Sequence, residues 1–507
     1  MARLTDLPSN LISCIFECLS RREYYALTQT CHALNTEATS YLYRDIRITA
    51  TKSQSCARKL ALLLRALFER PRLASKVATF GLFGPQYCWG KYDSWPENSE
   101  HLTSVKLWGF HKSAEEQSHL TPDMFFHFVD DDMHLSQAEL RERNKDALAT
   151  LVITRLMNLK KIELGDGFIR HSIFLPQILK RIDYLFPALE HIVFGDRQPG
   201  RNSTVSYTDL DLIRPVFCSS TVETFECSMA QPWKFHWNEA AAPCNTSLTS
   251  LHLFRTNITR STLQQLLSVT PNLKSFHYEQ EISFNSSAPR APSLDPYLEL
   301  DGLNSALACV RNTLEECQLI LRLGPGSTSA SQYDPSGVPF PAIEGTLSIL
   351  KDMPKLKKVE VPMIMFFGWY RRSSARLEEV LPLNLTDITF RDDFVPFCYW
   401  SRPSSRERRI GQIGKYIKNR ASQAPHLATL KVRLINAKES LKDAVRDLSS
   451  STREEGLEAM VLQGKKSETY CWQFEHAKVK SSRPGLESRA DSVLHEDGFV
   501  LKKAHFA

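Results

Sequence analysis

Residues 271–278 read Pro-Asn-Leu-Lys-Ser-Phe-His-Tyr, and the pattern inside this stretch recurs along most of the chain. Its frame is an apolar residue, two residues of any type, a second apolar residue, one residue of any type and a third apolar residue. Because the last two apolar positions are separated by one intervening position, each frame predicts a short strand with one buried face. The copies are Val77/Phe80/Leu82, Leu102/Val105/Leu107, Leu159/Ile162/Leu164, Leu189/Ile192/Phe194, Val222/Phe225/Cys227, Leu248/Leu251/Leu253, Leu273/Phe276/Tyr278, Leu314/Cys317/Leu319, Leu356/Val359/Val361, Leu385/Ile388/Phe390 and Leu427/Leu430/Val432.

The segments between frames predict helices. Residues 261–269 and 173–185 place apolar side chains at helical spacing, and a proline then ends the helix before the next strand. One strand and one helix cannot close a core, so such units must stack on their neighbours. The pattern resembles a degenerate leucine-rich repeat, whose unit is about 20–29 residues long. The resemblance implies an α/β fold, an irregular solenoid of short parallel strands and helices over residues 49–434; most copies lack the family's consensus asparagine, which leaves the subclass open.

Three stretches interrupt the repeats, at about 108–150, 284–298 and 324–341. The last two have the composition of linkers, and we expect all three to be mobile loops inserted into the array. The frame stops after Leu434. Residues 435–507 are therefore predicted to be a terminal cap, with a possible helix at 437–449, followed by a partly disordered tail.

The N-terminal residues predict a separate helical unit. Thr5 or Asp6 can cap a first helix, Pro8 suits its first turn, and apolar residues then recur at helical spacing through Leu19 and again from Tyr24. A unit this small buries too little surface to be stable alone, so something should cover its remaining apolar face. Cys14 and Cys18 share one side of the first helix, and packing between helices explains them without a metal.

This unit resembles an F-box over about residues 5–48. The family's Leu-Pro, its apolar pairs and its closing Leu-Tyr-x-x-Ile appear as Leu7-Pro8, Leu11-Ile12, Ile15-Phe16 and Leu42–Ile46, whereas Asn10 replaces the usual acidic residue and Tyr24-Tyr25 the usual Asp-Leu. The alternative is an ordinary amphipathic helical pair packed on the rest of the chain. The resemblance implies an F-box over residues 1–48 that docks a Skp-family adaptor and, through it, a cullin. The implied contacts are Leu7, Pro8, Leu11, Ile15, Phe16, Leu19 and Leu27.

Composition limits the class of protein. The chain has 507 residues and a net charge of +6 from 63 basic and 57 acidic side chains, which is too small a charge to predict a nucleic-acid partner. No stretch of 18 apolar residues predicts a membrane span. The 12 cysteines have no paired spacing. We therefore expect a protein of the cytoplasm, the nucleus or both, in a reducing compartment.

Catalytic chemistry is not indicated. The sequence lacks the nucleophile-elbow, zinc-protease, phosphate-loop and Cys-x-x-Cys patterns. We therefore expect neither an enzyme nor a cofactor or metal. The sequence predicts a substrate-recognition subunit of a Skp–cullin–F-box ubiquitin ligase; the alternative is a repeat scaffold that uses the same docking helices without ubiquitination.

A protein substrate would bind the repeats. The residues between the last two frame positions are expected to line a concave face; they include Lys106, Glu163, Val193, Glu226, His252, His277, Gln318, Glu360, Thr389 and Lys431, with no single sign of charge. Aromatic and arginine side chains dominate binding hot spots. The predicted substrate contacts are therefore Trp233, Trp237, Phe367, Trp369 and Arg391, although the aromatic residues could instead fill gaps between irregular repeats.

Overall fold

The protein is a mixed α/β structure built on one large sheet. The computed structural model describes residues 7–49, 53–83, 145–172, 174–195, 208–230, 235–237, 243, 247–282, 298–323, 343–368, 375–393, 403–435, 442–455, 457–465 and 473–476. Within these residues a 13-stranded sheet runs the length of the chain, with helices between most successive strands. The predicted α/β class with parallel strands is confirmed.

Three helices precede the sheet: α1 (Ser9–Glu17), α2 (Arg21–Thr28) and α3 (His32–Arg44). At the start of α2, the backbone N–H of Ser20 donates to the Glu23 carboxylate at 2.5 Å. Such a bond satisfies one of the donors that a helix leaves free at its N-terminus. Helix α3 passes directly into the first strand at Asp45, without a linker.

The large sheet is parallel except at its last pair. Its strand order is β1-β2-β3-β4-β6-β8-β9-β11-β13-β14-β15-β16-β17, and only β16 and β17 pair antiparallel. Two small sheets pair β5 with β7 and β10 with β12. Because the order in the sheet follows the order in the chain, each new unit adds beside the previous one. The strands are β1 Asp45–Thr49, β2 Thr79–Phe83, β3 Lys161–Leu164, β4 His191–Phe194, β5 Thr208–Asp209, β6 Thr224–Cys227, β7 Met229–Ala230, β8 Ser250–Thr256, β9 Ser275–Ile282, β10 Leu298–Glu299, β11 Glu316–Leu323, β12 Ile343–Glu344, β13 Lys358–Pro362, β14 Asp387–Arg391, β15 Thr429–Ile435, β16 Glu458–Lys465 and β17 Gln473–His476.

Helices connect the strands and pack on one another in sequence. Arg260–Ser268 contacts Leu300–Ala308, and Pro403–Lys418 contacts Lys442–Glu454. The other helices are Ser53–Glu69, Lys145–Thr154, Asp166–His171, Leu175–Lys180, Ile182–Leu185, Leu210–Phe217, Met363–Phe367, Leu377–Val380 and Arg420–Gln423, with 3-10 turns at Pro71–Lys76 and Ile349–Asp352. Inside this layer Asp183 accepts hydrogen bonds from the Ser219 hydroxyl and from the Ser220 N–H at 2.8 Å.

The frame residues form the core. In the register of the sheet Leu251 lies beside Phe225 on one side and Phe276 on the other, and every frame within the described residues aligns in this way. All of these frame side chains are buried, so the frames predicted both the strands and the buried face. The copy at Leu102 lies outside the described residues.

Three boundaries differ from prediction. A helix begins at Lys145, with Leu148 and Val152 buried, so the end of the segment expected to be a loop at 108–150 belongs to the core. Leu298 begins strand β10; the rest of the predicted loops at 284–298 and 324–341, and of 108–150, lies outside the described residues. The sheet also continues past Leu434, because β16 pairs in register with β15, and the helix expected at 437–449 is found at Lys442–Glu454.

Candidate functional site

Helix α1 has an apolar face that no other described part of the chain covers. Leu11 is 48% exposed and Ile15 is 37% exposed, and Cys14 and Cys18 are exposed as well. Successive residues turn by about 100° in a helix, so these four side chains share one face, with Leu7 and Pro8 at its N-terminal end. We call Leu7, Pro8, Leu11, Cys14, Ile15 and Cys18 the α1 stripe.

The opposite face of α1 holds the unit together. Phe16 is fully buried, and its ring lies 5.1 Å from that of Tyr41 and 6.1 Å from that of Tyr24. The Tyr24 hydroxyl donates to the Phe16 carbonyl at 2.5 Å. Among the described side chains of residues 7–44, only Phe16 and Ala38 are buried. The unit thus has a minimal core, while a comparable apolar surface faces outward.

The predicted docking residues divide between these two faces. Pro8, Leu11 and Ile15 are exposed, whereas Leu7, Leu19 and Leu27 are partly buried. The prediction that Phe16 contacts a partner is wrong for this structure, because Phe16 forms the core. The explanation of Cys14 and Cys18 by helix packing is also wrong, since no packed helix covers them among the described residues. The sequence analysis missed Tyr25, which is 62% exposed on α2.

Helix α3 joins the helical unit to the sheet. Helix α3 packs against the 3-10 turn Pro71–Lys76, and the Arg44 carbonyl accepts from the Ala78 N–H at 2.9 Å. In strand β1, which follows α3 without a gap, Ile46 and Ile48 are buried in the core of the sheet. The helical unit therefore contacts the sheet through the end of α3.

Two of the aromatic residues predicted as substrate contacts are described: Trp237 is partly buried and Phe367 is fully buried. The Trp237 Nε1–H donates to the Gln265 carbonyl at 2.8 Å, and its ring packs edge-on against Phe217 and Phe235. Phe367 is fully buried beneath the Arg409 guanidinium, so its prediction as a substrate contact is wrong for this structure. Trp233 and Trp369 lie outside the described residues.

Arg391 is buried in a network of charges rather than exposed beside a strand. Its guanidinium contacts Glu360 at 2.5 Å and Asp393 at 3.0 Å. Burial alone would lower the pKa of Arg391, but Asp393 and Glu360 raise it overall, so the side chain stays charged. Arg433 contacts the same Glu360 oxygen at 3.2 Å, and Arg406 contacts the buried Asp392. These charges balance, which fits a structural role for Arg391.

The residues between the frame positions form a polar row on the face opposite the core. Neighbouring members align in the register of the sheet, from Glu163 to Lys431, while Lys106 lies outside the described residues. Buried Glu226 lies 3.0 Å from His191 Nε2 and 3.9 Å from His252 Nδ1. Glu163 lies 2.8 Å from Lys161 and 3.2 Å from Arg47. Acidic residues of the row pair with basic residues or histidines nearby, so this row offers no surface of one sign.

Two further findings bear on the type of site. In the described part of the chain, no three His, Cys, Asp or Glu side chains are grouped so that they could hold a metal ion, and no helix is long and apolar enough to cross a bilayer. The sequence matches no family model, and no curated protein matches it significantly. The α1 stripe and the polar row are therefore judged on their own geometry.

Proposed function

We propose that this chain is the substrate-recognition subunit of a Skp–cullin–F-box ubiquitin ligase. Residues 1–48 form the F-box that binds a Skp-family adaptor, which links the chain to a cullin. The solenoid of leucine-rich-repeat type that follows binds a protein substrate, and the chain itself is a non-catalytic adaptor of the cytoplasm or nucleus. The observation that carries this proposal is the α1 stripe, because an exposed apolar face on a unit with a minimal core is typical of a surface that a partner covers.

The order of the strands supports the repeat half of the proposal. Consecutive units add parallel strands side by side, with the frame residues of each unit packed on those of the next. In an array of this kind each repeat contacts only its neighbours, and the face away from the helices is extended. Such a face suits a protein substrate better than a small molecule, since it extends across many strands.

Adaptor binding can be tested with one pair of substitutions. Leu11→Asp places a carboxylate in the middle of the α1 stripe, and Leu62→Asp places one on a comparable helical site, where Leu62 is 54% exposed. Loss of a central interface residue costs about 2 kcal/mol or more, so Leu11→Asp should weaken binding at least roughly thirtyfold. The measurement is binding of the purified full chain to a Skp-family adaptor, alone and with cullin.

The control distinguishes docking at the α1 stripe from non-specific binding by exposed apolar side chains. Leu62→Asp should bind the adaptor as the unsubstituted chain does, because Leu62 lies outside the proposed interface. If neither variant changes binding, or if the unsubstituted chain does not bind any Skp-family adaptor, the F-box proposal is wrong.

A second candidate function is a repeat scaffold that docks the adaptor without causing ubiquitination. The two are distinguished by the half-lives of partners that copurify with the chain in cells. For a ligase subunit, Leu11→Asp should keep its partners and lengthen their half-lives; for a scaffold, the half-lives should stay the same. A point substitution is preferable to deletion of residues 2–48, because that deletion would remove most of strand β1.

A further inference from the structure

The α1 stripe carries two thiols among its apolar side chains. Around the helix axis Leu11 lies between Cys18 and Ile15, with Cys14 beyond Cys18. Cys14 follows Leu11 by three residues and Cys18 follows Ile15 by three residues, so each thiol neighbours one of the two apolar side chains. Both cysteines are free and exposed. Any partner that covers Leu11 and Ile15 must therefore also cover these thiols.

The other described cysteines differ in reactivity or in place. Cys227 and Cys317 are buried, and burial raises the pKa of Cys317 to about 12, which suppresses the thiolate that reacts with electrophiles and disulfides. Partial burial also raises the pKa of Cys309, which contacts the Gln264 carbonyl. Cys218 is exposed but follows the helix Leu210–Phe217, far along the chain from the stripe. It is therefore a natural control for the two stripe thiols.

We propose that Cys14 and Cys18 are modification sites for small disulfides of the glutathione class, and that this modification and adaptor docking exclude each other. The inference rests on the proposed function of the α1 stripe. In the reaction, a cysteine thiolate attacks the disulfide, one half becomes bonded to the protein sulfur, and the other half leaves as a thiolate. A second thiol reverses the step.

Exclusion follows from size and charge. The adduct places a charged tripeptide on the apolar stripe, and docking would then have to bury charges without partners, which is costly. The coupling is reciprocal, since whatever modification does to docking, docking must do to modification. The stripe would thereby report the redox state of the compartment to the ligase.

The first measurement is protection of the thiols. The full chain, alone and in complex with its Skp-family adaptor, is treated briefly with N-ethylmaleimide, and each cysteine is read by mass spectrometry. Cys14 and Cys18 should label at least about tenfold more slowly in the complex, because the reagent reaches them only in the free fraction. Cys218 should label at the same rate in both samples. Equal labelling of the stripe thiols in both samples overturns the inference.

The second measurement is the effect of modification on binding. Chain treated with oxidised glutathione should bind the adaptor at least about tenfold more weakly, and dithiothreitol should restore the original affinity. In the double variant Cys14→Ser, Cys18→Ser, whatever its own affinity, treatment should change nothing, although Cys31, which is exposed at the start of α3 and outside the stripe, is retained. If glutathionylated chain binds as tightly as untreated chain, this inference alone is wrong. If untreated chain does not bind, the proposed function fails and the inference fails with it.

Discussion

Replacing Arg391 by methionine tests whether this residue holds the C-terminal repeats together or contacts a substrate. Arg391→Met keeps much of the volume of the side chain and removes its charge. In the structure the Arg391 guanidinium bridges Glu360 on β13 and Asp393 just after β14. Without it, the buried Asp393 and the partly buried Glu360 have one cation fewer.

The loss of stability in Arg391→Met depends on the contacts that Glu360 and Asp393 keep. Breaking a buried ion pair from one side costs about 3–5 kcal/mol. Glu360 keeps its contact with Arg433 at 3.2 Å, and Asp393 keeps the hydrogen bond from the Leu321 N–H at 3.2 Å. We therefore expect a loss near the lower end, about 3 kcal/mol, confined to the units around β11 to β15 because repeats couple mainly to their neighbours.

Hydrogen exchange resolved by peptide is the suitable assay, because a chain of stacked repeats has no single free energy of unfolding. A local loss of about 3 kcal/mol should speed exchange in β13, β14 and β15 roughly a hundredfold. Strands β3 to β6 should be unaffected. The matched control is Lys358→Met, which removes an exposed pair with Glu316 at 2.8 Å and should change exchange by less than about fivefold.

A different result would contradict the structural role of Arg391. If exchange in β13 to β15 changes no more in Arg391→Met than in Lys358→Met, the buried network does not stabilise these repeats. Should the same variant also lose a copurifying partner, Arg391 contacts the substrate, as the sequence analysis predicted.

Three further predictions concern other parts of the chain. Leu251→Ala should destabilise its unit by about 2–5 kcal/mol, seen as faster exchange in β6, β8 and β9, and unchanged exchange there would contradict the stacked core. Phe16→Ala should unfold the helical unit, with a loss of about 3–5 kcal/mol for a buried ring, while peptides from β3 onward keep their protection. Partial burial would raise the pKa of Asp183, but hydrogen bonds from Ser219 and Ser220 lower it overall. A carboxyl group whose pKa is lower in the folded state stabilises the fold above its unfolded-state pKa, and this stabilisation is lost as the pH falls through the folded-state pKa. Asp183→Asn should therefore be less stable than the unsubstituted chain at pH 7, and acid titrations should show that the difference shrinks below about pH 4.

The sheet was predictable because its signal repeats at a fixed position in every unit. Each unit begins its strand at the same position of the frame. Equivalent residues such as Phe225, Leu251 and Phe276 therefore lie side by side across neighbouring strands. Where the signal is weak the prediction failed. In β16 the register places Ala459 opposite Leu430, and so small a side chain gives little apolar contrast.

For the α1 stripe and the Arg391 network, the spacing of apolar residues did not predict which side chains are buried. Helix α1 is apolar on two faces, and sequence spacing does not reveal that Phe16 turns inward while Cys18 turns outward. Arg391 is the last residue of strand β14, a position where charges are often exposed, but its partner Glu360 comes from the preceding strand of the sheet. Such pairs arise only from the three-dimensional neighbourhood of strands, which no local pattern records.

Because α3 passes directly into β1, the number of strands sets the distance between the helical unit and any site farther along the sheet. Neighbouring strands are about 4.8 Å apart, and β14 is separated from β1 by nine steps in the sheet, so a ligand held at β14 lies roughly 40 Å along the sheet from the helical unit. No residue separates the end of α3 at Arg44 from the start of β1 at Asp45. Each repeat gained or lost in evolution would shift the far end by one step, which would allow the span between two bound proteins to be tuned without changing either binding surface.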